Sequence, residues 1–386
     1  MNILIGADLV PTKSNMVYFE NSNIEKLIDK NLLKKLNKAD YRIFNLEVPL
    51  ADIDTPINKC GPNLIASTKS GLGIKALGVD FLTLANNHIL DQGEKGLSST
   101  LKVLKDLDIS FTGVGNNIEE ASKPFIFEIE NKKVGIYCCA EHEFSIVSNY
   151  NAGANPFDPL ESLDHIQNLK KQVDYVIVLY HGGKEHYRYP SPNLQKTCRK
   201  IVEKGGDLVI CQHTHCIGCE EKWKDGIIVY GQGNFLFDDD ESEFWQTSLL
   251  VNIKDNFEID YIPILKDGFS VKLANEESKN KVLSDFYSRS EAIKQEGFIE
   301  KEYEKIAELE YIRYLNMVQG NRYTSLLFRI ANKLTGYKLK KYILKYFYSE
   351  KDITALYNLI ACEVHRENFL FILKKKINFY VNYKKK

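Results

Sequence analysis

Short apolar runs rich in β-branched residues alternate with helically spaced stretches from Met1 to about Asp267, the pattern of an α/β layered domain. Runs at Ile3–Ile5, Tyr41–Asn45, Phe81–Leu84, Phe125–Ile129, Val134–Cys139, Tyr175–Tyr180, Leu208–Ile210, Ile227–Tyr230, Ser248–Ile253 and Ile259–Ile264 predict strands. The last few lie close together with short turns between them, which predicts an antiparallel ribbon, so two mixed sheets fit better than one doubly wound sheet. Between Ser22 and Asn37 the apolar positions Ile24, Leu27, Ile28 and Leu32 fall at helical spacing, as do Leu97, Leu101 and Leu104 after Gly93 and Gly96. Both helices are expected to cover a sheet face. From Glu276 onward Gly and Pro almost vanish, Lys, Glu, Tyr and Leu dominate, and no strand pattern survives. The chain therefore divides into an α/β domain over residues 1–275 and a helical region over 276–386, with breaks at Gly320 and Gly336.

Composition narrows the partners more than the fold. Among 386 residues, 51 Lys and Arg stand against 52 Asp and Glu, and nothing global points to nucleic acid. Met1-Asn2-Ile3-Leu4-Ile5-Gly6 has no basic n-region and too short an apolar run for a secretion signal, so it reads as the first strand. No stretch of about 18 apolar residues predicts a membrane-spanning helix. The eight cysteines are then expected as reduced thiols in a cytosol. Cys216 and Cys219 form a Cys-x-x-Cys unit, but the second pair of a zinc knuckle is missing.

Candidate chemistry collects after the apolar runs. His213-Thr214-His215 follows Leu208–Ile210, and two imidazoles one residue apart can turn toward one point beyond a sheet edge, either as metal ligands or as a hydrogen-bonded pair. Asp8 follows the first run with Gly6 beside it, and is a ligand or a turn cap. Glu47 ends the second run with Asn45 on the same face, and an acidic residue there needs a positive partner such as a metal. Asn86-Asn87-His88 follows the third run, and Asp91 comes next. The Asn87 amide oxygen can ligate metal while His88 moves a proton, unless the segment is only an Asn-rich turn. His181 ends the most apolar strand and precedes Gly182-Gly183. Together Asp8, Glu47, Asn87, His181, His213 and His215 offer oxygen and nitrogen donors suited to Mn, Fe or Zn, one ion or two, and to metal-assisted hydrolysis. His186 reads as a loop residue, and His142, His165 and His365 as structural.

The ordered segments Gly6-Ala7-Asp8, Asn45-Leu46-Glu47, Asn86-Asn87-His88 through Asp91-Gln92-Gly93, His181-Gly182-Gly183-Lys184-Glu185, His213-Thr214-His215 and Gly233-Asn234-Phe235 resemble the bacterial CapA family of capsule-synthesis proteins, tied to poly-γ-glutamate and related polymers. That family is similar to calcineurin-like metallophosphoesterases. The resemblance implies a four-layer αββα sandwich around a dinuclear metal centre ligated by Asp8, Asn87, His181, His213 and His215. Glu47 would stand where the superfamily has a bridging aspartate. His88 would be the acid, with Asp91 in the catalytic motif, and Asn45, Asn234 and Glu185 would meet the substrate. Three departures stand out. Val10 fills the His position of the Asp-x-His pattern, Gly182 replaces a usual Trp, and the membrane anchor or export signal of many relatives does not precede the first strand.

The expected function is metal-dependent hydrolysis of a phosphate ester or surface-polymer precursor in capsule assembly. The alternative is an accessory or polymer-binding subunit of the capsule synthesis complex that keeps the fold without turnover. Tyr337, Leu339, Tyr342, Ile343, Tyr346 and Phe347 alternate with Lys338, Lys340, Lys341 and Lys345, followed by Lys374–Lys376 and Lys384–Lys386. This pattern either lies against anionic lipid or packs its aromatic stripe on the catalytic domain. The expected location is cytoplasmic, with peripheral contact at the inner face of the membrane if the first reading holds.

Overall fold

The computed structural model describes residues 1–148, 150–238 and 241–318, with 330–331, 333–335, 350–361, 365, 369 and 373 beyond them. In chain order the strands are β1 (Ile3–Leu9), β2 (Tyr41–Leu46), β3 (Phe81–Thr83), β4 (Ser110–Thr112), β5 (Val114–Gly115), β6 (Phe125–Ile129), β7 (Lys132–Ala140) and β8 (Gly153–Ala154). They continue as β9 (Tyr175–His181), β10 (Leu208–Gln212), β11 (Glu220–Trp223), β12 (Gly226–Tyr230), β13 (Asn234–Leu236), β14 (Thr247–Ile253), β15 (Ile259–Asp267) and β16 (Ser270–Leu273). An eight-stranded sheet runs β16-β15-β14-β1-β2-β3-β4, with β13 also on β1, and a six-stranded sheet runs β11-β12-β10-β9-β7-β6. Both sheets are mixed. Strands β1 to β4 are parallel to one another, as are β7, β9, β10 and β12, while β14, β15, β16, β6 and β11 pair antiparallel.

Period-two alternation explains the layering, because both faces of each central strand are buried. Ile3, Ile5, Ile43 and Phe81 of the first sheet face Val134, Ile136, Ile177, Leu179, Leu208 and Ile210 of the second, forming the core between the sheets. Their neighbours Leu4, Phe44 and Leu82 turn outward onto α1 (Met16–Glu20), α2 (Ile24–Leu27), α3 (Lys30–Leu36), α4 (Ser70–Ala76) and α5 (Gly93–Asp106). Val176, Val178 and Val209 do the same on the far side, under Ile166 and Leu169 of α7 (Ser162–Lys170) and Ile201 and Val202 of α8 (Pro192–Glu203). A short α6 (Ile118–Ala121) lies between. The result is the expected αββα sandwich. Gly6 is required inside it, since a Cβ there would fall 2.1 Å from the Phe44 ring on the adjacent strand.

The structure corrects one helix. The stretch from Ser22 to Asn37, read as continuous, is α2 and α3 with a break at Ile28 and Asp29. Asp29 caps α3 through the Asn31 and Leu32 amides, both at 3.1 Å, and also accepts the Leu273 amide at 2.9 Å. A side chain that bonds the backbone at a helix start competes with helix propagation.

Two compact units divide the chain, Met1–Tyr303 and Glu304–Lys386. The first extends past the change in sequence pattern near residue 275, because α9 (Glu276–Ala292) buries Phe286 completely against Tyr261, with ring centroids 4.8 Å apart. A further helix, α10 (Phe298–Val318), begins in the first unit, and a separate helix covers Glu350–Ala361. The aromatic and basic pattern at 337–347, the lysine clusters at 374–376 and 384–386, and the breaks at 320 and 336 lie outside the described residues. Among the described residues, no helix is long and apolar enough to cross a membrane.

Candidate metal centre

The C-terminal ends of parallel strands from both sheets meet at one edge, where open α/β sheets collect their chemistry. Strand β1 supplies Asp8, the end of β2 supplies Asn45 and Glu47, and the turn after β3 supplies Asn86, Asn87, His88 and Asp91. From the second sheet come His181 at the end of β9 and His213 and His215 after β10, while β13 brings Asn234 beside Asp8. Each of these side chains is buried. The six residues expected to bind metal do converge.

Asn45 organises the join between the sheets. Its Nδ2 donates to Asp8 Oδ1 at 2.8 Å and lies 3.2 Å from His181 Nδ1, and its Oδ1 accepts from Asn86 Nδ2 at 3.1 Å. It therefore contacts the cluster from within. His181 Nε2 lies 3.0 Å from Asn87 Oδ1 and 3.3 Å from Glu47 Oε1. His215 Nδ1 lies 2.9 Å from Asn234 Oδ1 and 3.5 Å from Asp8 Oδ2. The His181 and His213 rings stand 4.8 Å apart. Donor atoms of Glu47, His181 and His213, and likewise those of Asp8, Glu47 and His215, all fall within 4.8 Å of one another.

This packing leaves buried polar atoms without hydrogen bonds. Among the described residues, Asp8 Oδ2, both Glu47 carboxylate oxygens, His213 Nδ1 and Asn234 Nδ2 have none. Unsatisfied buried carboxylate oxygens cost several kcal/mol unless a cation compensates them, so the donor set fits a divalent ion. The electrostatics agree. Burial, then the charge of Asp8, raises Glu47 to about 8, whereas Asp8 stays below the ordinary carboxylate range because His215, His181 and Asn45 outweigh its desolvation. Burial lowers His181 to about 4 and takes His213 well below its ordinary value. For His215 the Asp8 carboxylate 3.5 Å away, with the charge of Glu47, overcomes burial and raises it to about 9. Two neutral imidazoles are what a metal requires of its nitrogen ligands.

The backbone is strained at the same place. His213 and His215 both adopt the left-handed region, at φ of 85° and 53°. Residues other than glycine are held there at a cost of about 1–3 kcal/mol each, and such strain concentrates at functional sites.

Beside this cluster stands a proton-handling pair. His88 Nδ1 lies 2.6 Å from Asp91 Oδ2, so the carboxylate holds the Nδ1 proton and Nε2 is the nitrogen left for exchange. Asp91 also accepts the Leu64 amide at 2.6 Å and meets the Lys59 ammonium through Oδ1. The Lys59 side chain is only 3% exposed. It enters on a loop that bonds back to the turn, with Thr55 and Leu64 engaging Gln92 and the Ile57 amide donating to the Asp91 carbonyl at 3.0 Å.

Glu185 sits at the rim, half-exposed, with Oε1 4.0 Å from His213 Nε2. Glu141, which sequence reasoning passed over, approaches the same nitrogen at 3.5 Å and accepts the Gly183 amide at 3.0 Å. Its signal was present, for it directly follows the end of β7. His186 has a larger part than a loop residue, since Trp245 Nε1 donates to its Nε2 at 2.8 Å and Trp245 lies 4.8 Å from the His215 ring. Cys216 and Cys219 are buried, and among the described residues no group of metal-ligand side chains includes them.

Comparison with known proteins places these residues in context. The family described as bacterial capsule synthesis protein PGA_cap matches residues 8–239, more than half of the chain. The capsule biosynthesis protein CapA of Bacillus anthracis is 27% identical over 260 residues, covering 64% of this chain and 63% of that protein. The PGA biosynthesis protein CapA of Bacillus subtilis (strain 168) is 28% identical over 172 residues, covering 43% and 44%. The chain thus spans less than two thirds of either relative. Among solved structures, the NAD nucleotidase of Haemophilus influenzae aligns with a TM-score of 0.43 at 13% identity, covering 75% of this chain and 62% of that one.

Proposed function

The chain belongs to the bacterial capsule synthesis protein family, and from that premise we propose that it is a divalent-metal-dependent hydrolase of phosphate esters acting in assembly of a bacterial surface polymer. The observation that carries this reading is the set of orphaned buried oxygens of Asp8 and Glu47 gathered with His181 and His213, which burial holds neutral, and with His215, which the two carboxylates raise to about 9. Asp8, Glu47, Asn87, His181, His213 and His215 are the residues that would hold the ion. When bound, a divalent ion supplies a Lewis acid for a phosphoryl oxygen and acidifies water.

The chain's own groups account for the rest of the mechanism. Asp91 keeps the His88 Nδ1 proton in place, so His88 Nε2 gives up its proton to the leaving oxygen. Lys59 balances the Asp91 charge, so that the pair does not bury an uncompensated carboxylate. Asn45 and Asn234, packed around Asp8 and His215, orient the oxygen-rich wall, and Glu185 at the rim meets groups of the substrate that carry no negative charge. A second reading, an accessory subunit without turnover, is favoured by Val10, an apolar side chain 2% exposed two residues after Asp8.

Elemental analysis after dialysis against manganese, followed by assays on aryl phosphate mono- and diesters, separates the two. We expect His213→Ala to lose both metal and turnover, and His88→Ala to keep its metal while turnover falls by about 10²–10⁴. A wild-type protein without metal, or hydrolysis unchanged in both variants, defeats the enzymatic reading.

A further inference from the structure

Three cations meet outside the metal centre. The loops that follow β9 and β10 supply Arg188 and Ile217, and α9 brings Lys281, Val282 and Arg289 over them, leaving an open pocket of about 400 Å³. Arg188 Nη1 donates to the Ile217 carbonyl at 3.1 Å, and Arg289 Nε donates to the Gly218 carbonyl at 2.7 Å. The two acceptors belong to consecutive residues, so both guanidiniums are drawn to one place, and the charge of Arg188 adds to burial in lowering Arg289. Each anchor uses one of the five N–H groups that a guanidinium offers. Like charges gathered in a half-buried pocket cost free energy unless an anion joins them.

The chain supplies little of that anion. Among the described residues neither Arg289 nor Lys281 forms an ion pair, and Arg188 reaches only Glu243, at 3.7 Å, whose side chain is 76% exposed. Asp285 also lines the pocket, one turn before Arg289, and is exposed. Three cations against two exposed carboxylates leave one positive charge. The Phe244 ring covers the face of the Arg188 guanidinium at 4.9 Å, so recognition falls to its N–H edge.

Size adds a second constraint. Bulk water occupies about 30 Å³ per molecule, so the pocket takes roughly a dozen waters, far more than a bare ion displaces. Ile217, Val282 and Leu265 give it an apolar wall. Its ligand therefore has a carbon-bearing part beside the charged group.

We infer that this pocket binds a monoanionic oxygen group, a carboxylate or a phosphodiester, borne on a larger organic chain, with Arg188 and Arg289 as the recognising forks and Lys281 adding charge. Both groups present paired oxygens at the spacing of two guanidinium N–H donors. The place of the pocket is also informative. The His186 and His215 rings are 6.2 Å apart, and each residue stands two positions before one that lines the pocket, Arg188 and Ile217. Two residues span at most about 7 Å, so the pocket adjoins the loop that carries His213 and His215. Binding there does not depend on the metal-dependent reading.

The test reads affinity without reference to metal or turnover. Chelator-treated full-length chain is titrated calorimetrically at low salt with a trimer of glutamate and with a trimer of glycerol phosphate, and circular dichroism confirms the fold of every variant. Wild type is expected to bind at least one trimer, and the one bound names the source of the group. Arg289→Gln should weaken binding at least about tenfold, the effect of losing a hydrogen bond between charged groups. Lys281→Glu, at an exposed helix position, should weaken it about fivefold. Lys102→Glu makes the same change of net charge on α5, where the side chain is 75% exposed, and should bind as wild type does. Failure of wild type to bind either trimer, or equal affinity in Arg289→Gln, Lys281→Glu and Lys102→Glu, overturns the inference.

Discussion

Replacing Glu47 by Gln tests the centre through stability. Glu47 is fully buried, and burial together with Asp8 raises it from an ordinary 4.5 to about 8. Without an ion, the folded chain therefore binds a proton that the unfolded chain releases. The stability contributed by this group is greatest below about pH 4.5 and falls as pH rises toward 8, by about 1.4 kcal/mol per unit. Between pH 5 and 6.5 the loss is on the order of 2 kcal/mol. His181 and His213, whose values are lowered by burial, tilt the curve the other way over this range, since the unfolded imidazoles bind protons that the folded ones refuse. His215, raised to about 9, adds its own loss only above about pH 6.5.

The quantity to read is thus the difference between variant and wild type, in which the histidines largely cancel. Gln has nearly the same shape and no proton to take up. In urea unfolding of chelated protein, Glu47→Gln should gain on wild type by roughly 2 kcal/mol between pH 5 and pH 6.5. Added manganese should reverse the order, stabilising wild type by about 2.7 kcal/mol at a hundred times its dissociation constant, and the variant far less. A difference that stays flat with pH, or an equal response to manganese in both proteins, would refute the reasoning.

Other perturbations probe the supports of the site. Lys59→Met strands the fully buried Asp91 carboxylate, and removing one partner of a buried pair predicts a loss of about 3 kcal/mol in urea unfolding. A loss below about 1 kcal/mol, the range of exposed pairs, would show that the ammonium is solvated instead. Phe286→Ala should cost about 3–5 kcal/mol, because the ring is fully buried against Tyr261. A surface-like effect would mean that α9 is not part of the first unit. Gly218→Ala would bring a Cβ to 1.7 Å from the Tyr230 carbonyl oxygen, so metal retained in elemental analysis should fall as the loop after His215 is displaced. Full retention would show that the loop can move without disturbing the histidines.

The strands legible in the sequence are those that carry an apolar run. All ten apolar runs become strands, whereas Ser110–Thr112, Val114–Gly115, Gly153–Ala154, Asn234–Leu236 and Ser270–Leu273 span only two to four residues and carry no apolar run. Glu220–Trp223 escaped for another reason, since its charged sequence pairs as an edge strand through the backbone and needs no apolar alternation. Residues at strand ends were legible by the same rule that found the strands. Asp8, Glu47, Asn87, His181, His213 and His215 each lie at or just after an apolar run, and the parallel arrangement of those runs sends all six to one edge.

That rule locates ligands but not what holds them. The turn from Asn86 to Asp91 carries both a proposed ligand and the proposed acid, and it is clamped from two directions by segments far away in sequence. Ser145 Oγ donates to the Asn87 carbonyl at 2.7 Å and accepts the Leu90 amide at 3.1 Å, while Leu64 and Lys59 hold Asp91 from the other side. Neither Ser145 nor Lys59 ends a strand or sits in a spaced motif, so no local pattern marks them. Their effect is nonetheless specific. A His88 ring free to swing would exchange its proton from either nitrogen, but one fixed through Nδ1 to a doubly held carboxylate can do so only through Nε2. Ligand identity is thus written along the chain, and the orientation of the acid emerges only from loops that the fold folds back upon the turn.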